Sequence, residues 1–154
     1  MVDDGELIRY VGLQRDPDSG LAIGVFQVAS RAKRDEHMPA DLRAQLGAAL
    51  RWFGEHLAVP RRFSHHRDGW RRAAGGAWVR TPLAISWFKP DATVHLARIV
   101  AVVGQLRAAG IAVREIRTRR PGYVTYEDRH QVVAVPFSDT RVGDDGGGME
   151  RPES

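Results

Sequence analysis

LAISWFKPDATVHLARIVAVVGQLRAAGIAVREIRT, residues 83–118, decides the fold, because its apolar period changes twice within one stretch. Residues 83–89, LAISWFK, form a compact apolar and aromatic run that stops at Pro90 and reads as a strand. A helix is expected at once: Pro90 suits a first-turn position, Asp91 complements the positive N-terminal end, and Gly110 is placed to cap the C-terminus. Within it Ala92, Leu96, Ile99, Val100, Val103 and Leu106 make an apolar stripe with Arg98, Gln105 and Arg107 mostly off it, so this helix should lie flat on a sheet. VREIRT, residues 113–118, returns as a strand, and the β-α-β unit should pass right-handed if its two strands are parallel neighbours.

Beyond that unit, Pro121 and Gly122 turn the chain into YVTYE and HQVVAVPF, a final hairpin. With its turn at Asp128 and Arg129, Glu127 faces His130 and Val124 faces Val133. That register gathers Val124, Tyr126, Val133 and Val135 on one face, with Tyr123, Thr125, Val132 and Ala134 on the other. Toward the N-terminus, LIRYVGLQ (7–14) and LAIGVFQVA (21–29) flank RDPDSG and read as an opening hairpin. Leu42, Leu46, Leu50, Phe53 and Leu57 then share one side of a helix over about residues 40–57, which Pro60 helps to end. The expected order is β-β-α-β-α-β-β-β, an α+β domain with a mixed sheet and two helices on one face.

The chain has 154 residues, 43% of them hydrophobic, enough for one domain with a real core. That domain is expected over residues 7–137, with an acidic end at 1–6, a long basic connection at 58–82, and a disordered, acidic, Gly-rich tail at 138–154. No cysteine is present, which excludes disulfides, thiolate nucleophiles and cysteine zinc sites. No run of about 18 apolar residues suggests a membrane span, and the start MVDDGELIRY lacks a secretory pattern, so a cytoplasmic protein is expected. Net charge is +4, but the ends are acidic and the middle carries the excess; nearly all of that basic charge is arginine, since Lys33 and Lys89 are the only lysines.

The phrases ISWFKPDATVHL and GIAVREIRTRRPGYVTYEDRHQVVAVPF resemble a group of small bacterial proteins to which no activity is attached, with a weaker echo in RWFGEHLAVPRRF, residues 51–63. The resemblance covers roughly the last third of the chain before the tail and implies a real domain, but no site residue, substrate or cofactor.

Three surfaces compete for function. The late hairpin brings Arg119, Arg120, Tyr123, Glu127 and His130 together as donors, an aromatic face and an acid/base pair, although a Glu opposite a His is more often an exposed ion pair than a general-base dyad. PRRFSHHRDGWRR, residues 60–72, interleaves Arg61, Arg62, Arg71 and Arg72 with Phe63 and Trp70, the mixture of charge and stacking platform that single-stranded nucleic acid uses. Lys89, with the first-turn amides of the following helix and Arg119 or Arg120, makes an anion pocket, with His95 one turn in. His56, His65 and His66 match no zinc spacing, and Ser64 with its neighbouring histidines and Asp68 is too crowded in one loop for a triad. AAGGAW at 73–78 is no nucleotide fingerprint. No metal or cofactor is expected. The leading expectation is a non-enzymatic module that binds a protein partner or a second copy of itself; nucleic-acid binding follows, then a small hydrolase or transferase acting on an anionic substrate, with Lys89, His95, Glu127 or His130 in an enclosed pocket.

Overall fold

The computed structural model describes residues 5–15, 22–58 and 84–137, and the backbone of 70–72 and 78–80. The acidic residues 1–4, the turn at 16–21, most of the basic connection and the whole of 138–154 lie outside the described residues.

The α+β class holds: the described residues form three helices, a six-stranded sheet and a two-stranded sheet, in the chain order β1 (Leu7–Arg15), β2 (Ala22–Gly24), α1 (Val25–Arg34), α2 (Ala40–His56), β3 (Trp70–Arg72), β4 (Trp78–Arg80), β5 (Ile85–Phe88), α3 (Thr93–Ala108), β6 (Val113–Thr118), β7 (Tyr123–Glu127) and β8 (Gln131–Val135). Two element assignments change. The run read as a second strand over 21–29 is strand only for three residues and then becomes α1. Its buried residues Val25, Val28, Ala29 and Ala32 follow helical spacing, and packing against α2 overrides the strand preference of its β-branched residues. The connection at 58–82, expected to lack strands, contains β3 and β4, paired antiparallel as a separate two-stranded sheet.

The main sheet is antiparallel at every described pairing rather than mixed. β1 is its hub. Val11 pairs with both Gly24 and Arg114, and Ile8 with both Phe88 and Arg117, so β6 runs along one edge of β1 while β2 and β5 share the other, end to end. β5 and β6 are therefore parallel to each other but not neighbours, because β1 is inserted between them; the β-α-β unit is split. β8 continues outward from β5, and β7 follows β8.

Arg9 closes the seam where β2 and β5 meet. Its guanidinium donates to Ala22 O (3.4 Å) on one strand and Ser86 O (3.2 Å) on the other, so one side chain ties the two strands together. Burial alone pushes its pKa down to about 10.

Alternation along the strands divides the core. Ile8, Tyr10, Phe88 and Val113 face the three helices and pack with Leu46 and Phe53 of α2 and Ile99, Val102, Val103 and Leu106 of α3. Leu7, Val11, Trp87, Ile116, Val132 and Ala134 form a second cluster on the other face. The stripe expected on α3 is rotated: Val102 and His95 are buried, while Val100 is 53% exposed. Gly110, at φ +86°, ends α3 as expected, and the bonds Ile111 N to Leu106 O and Gly110 N to Arg107 O make a Schellman cap.

Candidate functional site

The late hairpin is built one residue out of the expected register. Asp128 N donates to Gln131 O (3.0 Å), Glu127 pairs with Val132 and Tyr126 with Val133, so the two-residue loop is Arg129-His130. Glu127 therefore does not face His130. A bulge at Thr125 then shifts the register, so that Val124 pairs with Ala134 and Tyr123 with Val135, which moves Val124 to the face opposite Tyr126.

Asp128 explains how this turn forms without Gly or Asn. Its Oδ1 accepts from His130 N (2.8 Å) and Gln131 N (3.0 Å), and its Oδ2 from Tyr126 OH (2.8 Å) and Gln131 Nε2 (3.3 Å). Burial by itself raises the Asp128 pKa, but these donors outweigh it and hold the carboxyl below its ordinary value. The same bond to Asp128 raises the Tyr126 phenol. Gln131, 2% exposed, is fully engaged: its Nε2 also donates to Ala58 O (2.6 Å), and its Oε1 accepts from Ser86 Oγ (2.8 Å).

The hairpin tip thus docks on the C-terminal end of α2. His95 performs a parallel task from the first turn of α3, its Nε2–H donating to His56 O at 2.7 Å. The His95 ring stacks on His130 at 4.1 Å, and Trp52 stacks on His56 at 4.3 Å beneath the Arg98 guanidinium. The Nδ1 of His95 is buried without a hydrogen-bond partner, so a reacting group could meet it only through the packed core.

Lys89 pairs with Glu127, Nζ to Oε2 at 2.7 Å, and Lys89 N donates to His130 O (2.8 Å). Both line an open groove of about 630 Å³ with Leu7, Pro90, Asp91 and Val132, and neither His95 nor His130 lines it. The expected anion pocket is not assembled. Lys89 already meets a carboxylate, and Arg119 and Arg120 precede the opposite end of β7, roughly 15 Å away at about 3.4 Å per residue. A second groove of about 370 Å³ lies between the end of β1, α1 and the connection from α3 to β6, lined by apolar residues including Ile23, Val28, Met38 and Ile111; nothing in the sequence reading anticipated it.

At its other end the hairpin presents an aromatic group. Tyr123 meets Phe137 edge-on at 4.7 Å, and the Arg120 guanidinium lies 5.1 Å over the Phe137 ring. Arg119, Arg120 and Tyr123 are thus near one another, as expected, while Glu127 and His130 belong to the far end. Tyr123 and Val124 are 60% and 50% exposed on the outermost strand of the sheet, and no described strand pairs with the outer edge of β7.

Of the basic aromatic stretch, Arg61, Arg62 and Phe63 lie outside the described residues, whereas Trp70, Arg71 and Arg72 constitute β3. Among the described residues no group of three His, Asp or Glu is placed to hold a metal ion, and no helix is long and apolar enough to cross a membrane.

The residues that organise the site but carried no signal were Asp128, Gln131 and Arg9. Each acts through a backbone group distant in sequence or through a turn whose register the pattern misplaced. Comparison with protein-family models, with curated proteins and with solved structures gives no match for this chain.

Proposed function

We propose that this chain is a cytoplasmic, non-enzymatic binding module that takes a polypeptide strand along the outer edge of β7, and that this strand is β7 of a second copy. The observation that carries the reading is the exposure of Tyr123 and Val124 at 60% and 50% on an outermost strand whose first charged residue is Glu127. An edge strand with so little charge is a template for strand addition, in which main-chain bonds supply affinity and alternate side chains supply specificity. A second copy suits it because antiparallel self-pairing sets the basic approach of each β7 against the acidic end of the other. Five residues span roughly 17 Å, and the bulge at Thr125 interrupts them, so the contact falls short of the roughly 1,200 Å² of a stable interface and the association is weak.

Light scattering over a concentration series tests this. The expected result is a monomer–dimer equilibrium that Val124→Lys shifts to monomer while circular dichroism stays unchanged. A wild-type protein monomeric at its highest soluble concentration, or a Val124→Lys dimer as strong as wild type, rejects self-pairing.

A further inference from the structure

The most distinctive pattern in the molecule lies away from β7, in the two-stranded sheet of β3 and β4. Its register pairs Trp70 with Arg80, Arg71 with Val79 and Arg72 with Trp78. Residues opposite each other in an antiparallel pair share a face and neighbours along a strand alternate, so positions 70, 72, 78 and 80 occupy one face and 71 and 79 the other. One face of this small sheet therefore holds two tryptophans and two arginines in a diagonal checkerboard, with no acidic residue anywhere from 70 to 80.

From this juxtaposition we propose that the β3–β4 face binds single-stranded nucleic acid, the tryptophans stacking on bases and the arginines meeting phosphates. Phosphate attraction alone needs no indole, and a duplex keeps its base faces stacked away; aromatic residues interleaved with cations fit bases already free of partners. The spacing agrees. Positions two apart on a strand are roughly 6.8 Å apart, about twice the roughly 3.4 Å rise per nucleotide of a stacked duplex strand, which matches an extended chain with splayed bases. Arginine suits the site better than lysine because its planar fork both pairs with phosphate and stacks on rings.

The test is fluorescence anisotropy of labelled mixed-sequence 12-nucleotide RNA and DNA single strands and the corresponding DNA duplex, titrated with the full chain over a salt series. Three variants accompany wild type: Trp70→Leu with Trp78→Leu, Arg72→Ser with Arg80→Ser, and Arg71→Ser on the opposite face, each checked for unchanged thermal unfolding. Single strands should bind more tightly than the duplex. The tryptophan pair should weaken binding roughly five- to a hundred-fold per base stack lost, with little change in salt slope. The arginine pair should flatten the slope by about 1.4, at about 0.7 per phosphate contact, whereas Arg71→Ser should do less. Should the tryptophan pair unfold the protein, the arginine pair against Arg71→Ser carries the test. RNA binding tighter than DNA would identify ribose contacts; equal binding would identify bases and phosphates alone, and both support the face as the site. Duplex binding as tight as single-strand binding, tryptophan variants that are folded yet bind like wild type, or Arg71→Ser as damaging as the arginine pair overturns it.

Discussion

β6 and β7 are both outer strands of one sheet, joined by residues 119–122, and they present opposite chemistry to a strand that might pair with them. On β6, VREIRT, Glu115 Oε2 accepts from Arg117 Nε at 2.5 Å, Glu115 Oε1 accepts from Tyr10 OH at 2.9 Å, and Arg117 also approaches Glu6 at 3.8 Å. Burial would raise the Glu115 pKa, but Arg117 and Tyr10 hold it below its ordinary value, while burial and that same bond push the Tyr10 phenol up to about 12. A strand added to β6 would have to strip water from this network. β7 begins Tyr-Val-Thr-Tyr and, among the described residues, has no charged side chain before Glu127, which pairs with Lys89. Among the described residues, β6 thus carries fixed charges along its length whereas β7 carries none before Glu127.

The largest expected effect falls on the β7 edge itself. Gly122 enters β7 at φ +122°, and a Cβ there would run into the carbonyl of Val135. Gly122→Ala combines backbone strain with a main-chain clash, so it should cost more than about 4 kcal/mol in urea unfolding and detach β7 from β8. A loss below about 1 kcal/mol would mean that β7 can be repositioned freely.

Next is the tip that holds β7 in register. Asp128→Ala removes one acceptor from four donors and should cost about 2 kcal/mol by the same measurement. Because the folded carboxyl titrates below its unfolded value, its contribution is present above the unfolded pKa of about 3.9 and is lost as pH falls through the folded pKa. Asp128→Asn should therefore lose less stability than wild type between neutral pH and acid; parallel pH profiles for the two proteins would remove Asp128 as the origin.

Smaller in stability but sharper for the comparison is Glu115→Val with Arg117→Val. The exposed ion pair contributes roughly 0–1 kcal/mol, yet its loss should open β6 and produce self-association that wild type lacks at that edge. Unchanged light scattering would show that charge is not what guards β6. The smallest expected change is in Val124→Lys, within about 0.5 kcal/mol of wild type because the residue is half exposed, even as dimerisation is lost.

Much of the architecture was legible because its signals are local. The period of residues 92–106, the glycine at 110 and the leucine spacing through Phe53 depend only on neighbours within a few turns, and α2 and α3 fall close to where they are expected. α1 was not legible, since Val25 to Ala29 satisfies strand and helix preferences alike until α2 supplies a surface. The hairpin was recognisable as a hairpin, but its turn was misplaced because Asp128 replaces the expected turn residues with side-chain bonds. Arg119, Arg120 and Tyr123 are grouped as anticipated; Lys89 is not with them, because strand direction carries it to the far end of β7.

What the sequence by itself determined is the α+β class, the extents of two helices and the presence of a final hairpin, all consequences of residue-to-residue periodicity. Only the tertiary structure decided that β1 is the hub, that Arg9 bridges the seam between β2 and β5, that charged pairs line β6, and that Trp70 pairs with Arg80. These depend on which strands become neighbours, and that choice is made by burial and main-chain pairing between segments far apart in the chain, which no local pattern encodes.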